Sequence, residues 1–289
     1  MKNAIRIPSV LILVVTALTA SATAQWINYP TPGTPRLSNG KVNLSAPAPR
    51  LNGKPDLSGV WHVEPTPMAE WVRMLGPDPD PFAVPGMELT SVSKYAANVF
   101  ADFAPGTEPI RPEVAQEMAA MVERRLTSKE YHPGFYCLPY GIPVSSLLSG
   151  VTKFVQTPNL TIVLLETGGN RQIYTDGRKH MPDNNPSWFG YSTGKWEGDT
   201  LVVETIGFNG RTWLDVVGRP QSEEARVTER FRRRDFGHLD AEVTFNDPVW
   251  YSKPFTIKVT YLLQPDTDIL EYYCENEKDH AHLPKAEVK

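Results

Sequence analysis

The chain has 289 residues and a formal net charge of −4 at pH 7, with 40% hydrophobic and 21% charged residues. This mildly acidic balance argues against nucleic acid as the main partner, because a phosphate backbone favours a basic surface. Beyond the N-terminus, no apolar run approaches the roughly 18 residues that a membrane-spanning helix needs. We therefore expect no membrane span.

Residues 1–24 have the pattern of a secretory signal peptide. Lys2 and Arg6 precede an apolar run from Val10 to Leu18, and a small-x-small pattern ends at Ala24. A basic start, a short apolar core and small residues at the cleavage site define such a peptide. We expect cleavage before Gln25 and a periplasmic or secreted protein.

A proline-rich arm follows over residues 25–55. Of the 27 prolines in the chain, 18 lie between Pro30 and Pro143. Proline fixes φ and removes a backbone donor, so we expect an extended arm without a regular strand ladder. Residues 56–289 are expected to form a single β domain with a helical insertion at about 87–130. Its two predicted helices are Glu88–Phe103 and Pro112–Leu126.

The remaining segments indicate strands. A short strand is expected at Leu57–Val63, and strand-length segments separated by turn residues begin at Val151. They are Val151–Gln156, Leu160–Thr167, Arg171–Thr175, Phe189–Trp196, Thr200–Phe208, Arg226–Arg233, Leu239–Phe245, Phe255–Leu263 and Ile269–Cys274. Short joins favour antiparallel neighbours. We expect an all-β antiparallel meander that closes into a barrel or a strongly curled sheet, with either a packed interior or a ligand cavity.

The strand end after Tyr174 is rich in reactive side chains. Asp176, Arg178 and His180 place a carboxylate, a guanidinium and an imidazole within five residues. His180 is a candidate general acid or base, and Arg178 a candidate clamp for an anionic group. The alternative is an ordinary Asp-Gly turn with solvated charges.

Two further carboxylates are candidates for acid/base catalysis. Glu204 shares a strand face with Val202 and Ile206, so it is buried if that face points inward and solvated if it points outward. Buried carboxylates are favoured for proton transfer. Asp215, in the following loop, is the candidate second carboxylate.

Aromatic side chains are dense in the same region. Trp188, Tyr191, Trp196 and Trp213 are candidate substrate-binding residues that would stack on a sugar or an aromatic ring. The alternative is a core that uses tryptophan as bulk.

The two cysteines indicate a disulfide, and the motifs that the sequence lacks argue against metal and cofactor chemistry. Cys137 and Cys274 would both meet an oxidising compartment, which favours a disulfide over two buried free thiols. Metal-protease, redox-dithiol and nucleotide-binding motifs are absent from the sequence, so we expect no cofactor and no metal. His280 and His282 in the tail are a weaker alternative as metal ligands.

Ser192 lies in a G-x-S-x-G pattern, but a strand rather than a helix is predicted after it, which argues against a nucleophile elbow.

Several motifs, taken together, are similar to those of a large, mostly uncharacterised family of secreted bacterial proteins, which the chain resembles. They are PDLSGVW at Pro55–Trp61, YTDGRKH at Tyr174–His180, GKWEGDTLVVET at Gly194–Thr205, GFN at Gly207–Asn209 and WLD at Trp213–Asp215. The resemblance covers most of the chain from Pro55 to Asp279 and implies no particular activity. Gly59-Val60-Trp61 also resembles the opening of lipocalin-like barrels.

The sequence leaves three functions open, of which the third, a structural or envelope-assembly protein, predicts a barrel interior that is packed solid. The first is a periplasmic β-barrel enzyme that performs cofactor-independent acid/base chemistry, as a lyase, isomerase or hydrolase, on a small aromatic or sugar-like molecule. The alternative is a non-catalytic small-molecule binding protein of lipocalin-like type. The oligomeric state is not indicated by the sequence.

Overall fold

A computed structural model describes residues 30–80, 88–127, 137–180 and 185–271. The predicted signal peptide, Cys274, His280 and His282 lie outside these residues. Cys137 is exposed, and its disulfide with Cys274 stays a prediction. The predicted last strand, Ile269–Cys274, lies partly outside the described residues, and residues 269–271 are not in a strand.

Nine strands form a closed barrel, which confirms the predicted all-β fold. The strands in the described residues are β1 (Arg50–Leu51), β2 (Lys54–Pro55), β3 (Gly59–Val63), β4 (Thr152–Gln156), β5 (Leu160–Leu165), β6 (Asn170–Tyr174), β7 (Tyr191–Glu197), β8 (Thr200–Ile206), β9 (Arg226–Arg233), β10 (His238–Asn246) and β11 (Phe255–Leu263). Strands β3 to β11 follow one another around the barrel in chain order, and β11 closes it by pairing with β3. The likeness to lipocalins stays a prediction.

One neighbouring pair is parallel, and here the prediction of a wholly antiparallel meander was wrong. Strands β6 and β7 pair in parallel through only two residue pairs, Ile173 with Ser192 and Tyr174 with Thr193. A closed barrel with an odd number of strands needs at least one parallel pair, since directions cannot alternate all the way round. The long connection between β6 and β7 permits it, because a parallel pair needs a crossover rather than a tight turn. We call this parallel pair the seam.

Side-chain alternation defines the inside of the barrel. On β11, Phe255, Ile257 and Val259 are buried while Thr256 and Lys258 are exposed. The same period of two runs along β9 and β10, and the inward positions are mainly apolar, as expected for a sheet with one buried face. The barrel interior is therefore a packed core rather than a wide ligand cavity.

The proline-rich arm contains a two-stranded ladder, so the expectation that it has none was wrong. Strands β1 and β2 pair with each other across Asn52 and Gly53. Both turn residues have positive φ, 51° and 78°. Asn-Gly is the preferred sequence for a two-residue hairpin that needs this conformation. Pro55 lies at the end of this short ladder, opposite Arg50.

The arm covers one end of the barrel. Backbone N–H groups of Phe236 and Gly237, in the β9–β10 turn, each donate to an arm carbonyl at 2.7 Å. Arg36 forms an ion pair of 2.6 Å with Asp266, which follows β11. Arg50 forms a further exposed ion pair with the β7–β8 turn. Contacts to three separate loops thus hold the arm in place.

The helices lie between β3 and β4. They are α1 (Met68–Leu75), α2 (Lys94–Ala97) and α3 (Ala115–Thr127), with a 3-10 turn at Pro112–Val114 leading into α3. The second predicted helix is therefore confirmed. The first is largely wrong, because Asn98 adopts an extended conformation and ends α2 after one turn. Helix α1 was not predicted; its Trp71 is fully buried and donates through Nε1 to a carbonyl at 2.9 Å. Among the described helices, none has the length and apolar character needed to cross a membrane.

Candidate functional site

The residues predicted to be catalytic lie partly in one surface cluster and partly at isolated positions. The surface cluster consists of Tyr174, Asp176, Arg178, His180 and Tyr191. Asp176 and Arg178 are exposed and form a bidentate ion pair, with Nη2 and Oδ2 2.6 Å apart. The hydrogen bonds from Arg178 hold the pKa of the Asp176 carboxyl below its usual value. The guanidinium of Arg178 also lies 3.8 Å from the ring centre of Tyr174. Two groups that neutralise each other in this way are poorly suited to proton transfer.

His180 belongs to the same cluster. Its Nε2 lies 3.0 Å from Oγ1 of Thr193 and 3.1 Å from the backbone carbonyl oxygen of Glu204. A carbonyl oxygen only accepts hydrogen bonds, so Nε2 carries the proton and the ring is held as a donor. This tautomer does not let Nε2 take a proton from the Thr193 hydroxyl. A histidine–threonine nucleophilic pair is therefore not formed by this geometry.

The surface cluster spans the seam. Tyr174 of β6 and Tyr191 of β7 stack with ring centres 5.4 Å apart. The imidazole of His180 meets the edge of Tyr191 at 6.2 Å. Cross-strand aromatic pairs stabilise sheets, and two backbone pairs alone make a weak junction. The side-chain contacts of the cluster therefore link β6 to β7 on the outer face of the seam.

The two remaining predicted carboxylates do not join this cluster. Glu204 is exposed on the outer face of β8, so its strand face points outward. Asp215 is fully buried. It accepts from the backbone N–H groups of Val99, Gly218 and Arg219 at 3.0–3.2 Å and from the guanidinium of Arg219 at 2.5 Å. These contacts make Asp215 an anchor between its loop and the segment after α2.

The predicted aromatic residues also occupy different surroundings. Trp213 is buried, and the guanidinium of Arg125 lies 3.5 Å from its ring centre. Trp196 is half-buried against the core. Trp188 is half-buried, and Tyr191 belongs to the surface cluster. The structure does not bring the four together around one ligand position.

An ion pair inside the barrel was missed by the sequence analysis. Arg171 of β6 and Glu229 of β9 form a salt bridge in which each side chain is only 6% exposed. Arg171 also donates to Ser192 at 2.9 Å and to Thr205 at 2.7 Å, and these two hydroxyls are 3.0 Å apart. Ser192 is thus an interior strand residue, which agrees with the absence of a nucleophile elbow. A cavity of about 30 Å³ beside the pair has room for water only.

A larger cavity lies at the barrel end covered by the arm. Its volume is about 620 Å³, which is in the range of pockets that bind small molecules. Its wall is formed by the arm, by the starts or ends of β3, β4, β9 and β11, and by the segment after β11. The lining is mainly apolar and includes Pro32, Pro49, Val60, Phe236, Leu263 and Pro265. We call it the end cavity.

Polar and charged side chains also line the end cavity, although they provide the smaller part of its accessible surface. The hydroxyl oxygens of Thr34 and Thr267 are buried in its wall and have no hydrogen-bond partner in the described part of the chain. Arg233, 4% exposed, also lines it. Lys153 and Asp268 form an ion pair of 2.6 Å in the same wall. Threonine hydroxyls carry no recognisable sequence signal, so none of these residues was predicted.

Comparison with known proteins does not identify a relative. The chain matches no family model, no curated protein and no solved structure. The resemblance to a family of secreted bacterial proteins stays a prediction. Within residues 30–80, 88–127, 137–180 and 185–271, no three His, Cys, Asp or Glu side chains are grouped to hold a metal ion.

Proposed function

We propose that the protein binds a small, mainly apolar molecule in the end cavity. The observation that carries this proposal is a cavity of about 620 Å³ whose accessible wall is mainly apolar. The hydroxyl oxygens of Thr34 and Thr267 are too deeply buried to touch a ligand, so polar contacts would come from other groups in the wall, such as Arg233. An apolar pocket with few convergent polar groups is typical of a binding protein.

The enzyme hypothesis is less well supported by the geometry. Its four catalytic candidates lie at the outer surface or, for Asp215, in a buried anchor. None of them lines the end cavity. Acid/base catalysis by the surface cluster stays a prediction that His180→Ala tests against wild type on pooled small molecules. The periplasmic or secreted location is likewise proposed from the sequence alone.

The binding proposal is tested with N-phenyl-1-naphthylamine, a neutral probe whose fluorescence rises in an apolar environment. We expect saturable binding with one site per chain. Thr267→Trp should weaken it, because the new ring would take up part of the cavity, while the lost hydroxyl has no partner among the described residues. Thr228→Trp is the matched control, since Thr228 lies on the outer face of β9. Absence of saturable binding to wild type, or equal loss in both variants, would refute the proposal.

A further inference from the structure

Arg233 is a buried cation whose hydrogen bonds go to neutral partners. Nη1 donates to the carbonyl oxygens of Asp56 and Ser58 at 2.6 and 3.2 Å. Nη2 donates to the carbonyl of Phe236 at 2.5 Å, and Nε donates to the carbonyl of Asp235 at 3.3 Å. A guanidinium has five N–H donors. One Nη2 hydrogen is therefore left without a partner in the described part of the chain.

Arg233 forms no direct ion pair with a carboxylate of the described residues, although the charges of Asp56 and Asp235 act on it from farther away. The other arginines of β9 and its turn are exposed, so solvent screens their charges. Burial lowers the pKa of Arg233 to about 10, which still leaves it charged at neutral pH. The ring faces of Trp61 and Phe236, 4.8 and 5.2 Å from the guanidinium carbon, compensate in part. A buried charge is costly unless it is paired.

The remaining wall of the end cavity is suited to an aliphatic body. Apolar atoms provide most of its accessible surface, proline, valine and leucine side chains among them, and Phe236 is the aromatic residue in its lining. The aromatic residues predicted to stack on a ring lie elsewhere. A free donor on a buried cation beside an aliphatic wall matches a molecule with one anionic group and one apolar chain.

We propose that the ligand of the end cavity is an amphipathic carboxylate whose head accepts a hydrogen bond from Nη2 of Arg233 and whose chain lies against Val60 and Leu263. This inference rests on the proposed binding function and adds the chemical class of its ligand. Hydrogen bonds to charged groups contribute about 1.5–3 kcal/mol. A carboxylate should therefore bind roughly ten- to a hundredfold more tightly than the alcohol of equal chain length.

The test is competition against N-phenyl-1-naphthylamine by decanoate and by decan-1-ol. Wild type should prefer decanoate at least tenfold. Arg233→Met should remove that preference, and Arg230→Met should keep it, since Arg230 lies on the outer face of the same strand and pairs with Glu197. Circular dichroism establishes that each variant is folded. If Arg233→Met does not fold, the comparison of acid and alcohol on wild type decides alone.

The outcomes separate the two proposals. Failure of the neutral probe to bind removes the proposed function and this inference together. Binding of the probe with equal displacement by decanoate and decan-1-ol keeps the binding function and overturns the carboxylate assignment. A preference for decanoate that persists in folded Arg233→Met also overturns the role of Arg233.

Discussion

The ion pair between Arg171 and Glu229 gives the sharpest prediction on stability. Each side chain is 6% exposed, so neither charge is solvated by bulk water. Among the described residues, replacing Glu229 by leucine leaves the buried guanidinium with the hydroxyls of Ser192 and Thr205 as its remaining side-chain partners. Breaking a buried pair from one side costs about 3–5 kcal/mol in the free energy of unfolding. We expect a loss in that range.

The double variant Arg171→Met, Glu229→Leu should recover most of the loss. Apolar replacement of a buried pair is often neutral or stabilising, because it removes both desolvation costs. Ser192 and Thr205 would still bond to each other, their oxygens being 3.0 Å apart. A double-mutant cycle from urea unfolding, followed by tryptophan fluorescence, measures the coupling.

Glu242→Gln is the matched control for this experiment. Glu242 pairs with Lys258 on the outer face of β10 and β11, where the two side chains are 46% and 74% exposed. Solvent screens such a pair, so the free energy of unfolding should hardly change. A loss below about 1 kcal/mol in Glu229→Leu, with an unchanged denaturant slope, would refute the reasoning from burial. Equal losses in the single and double variants would refute it too.

Three other predictions concern separate parts of the fold. Asp215→Ala should lower the free energy of unfolding by ~3 kcal/mol or more in urea, because it leaves three backbone donors unpaired; a loss below 1 kcal/mol contradicts the anchor role. Reduction of the predicted disulfide between Cys137 and Cys274 should remove about 2–4 kcal/mol of stability, seen as a lower melting temperature, and an unchanged melt would show that the bond is absent. Hydrogen bonds from Arg73 and Lys94 lower the pKa of the Glu70 carboxyl from 4.5 to about 2. The stabilisation of the fold by these contacts is therefore complete above about pH 4.5 and is lost as the pH falls through 2. A carboxyl titration by nuclear magnetic resonance with a midpoint near 4.5 would contradict this.

The strands were the most predictable part of the molecule. The limits of Arg226–Arg233 and Phe255–Leu263 agree with the structure at both ends. Their alternation has a period of two, which directly reflects which side chains enter the core. Helix limits were predicted less well, because the segment Glu88–Phe103 combines helix-forming residues with a backbone that turns extended at Asn98.

The site could not be predicted in the same way. Glu229 and Arg171 are 58 residues apart and meet only through the closed register of the barrel. Thr34 and Thr267 are still further apart in sequence, and nothing in the local pattern distinguishes them from solvated threonines. The stretch Asp176–His180 was chosen for its density of reactive side chains. Density along the chain does not show whether the groups neutralise each other, as Asp176 and Arg178 do.

The pairing of β11 with β3 has a consequence for the order of folding. It joins Val63 to Tyr261 and His62 to Leu262, residues of the first and last strands of the barrel. The hairpins from β7 to β11 need only local contacts, whereas closure must await both β3 and β11, and such long-range contacts form slowly. Until then β3 and β11 each present an unpaired edge, which is a template for aggregation. A chain shortened before Phe255 would leave the edges of β3 and β10 permanently unpaired. The last strand is therefore the element that protects the barrel from edge-to-edge aggregation.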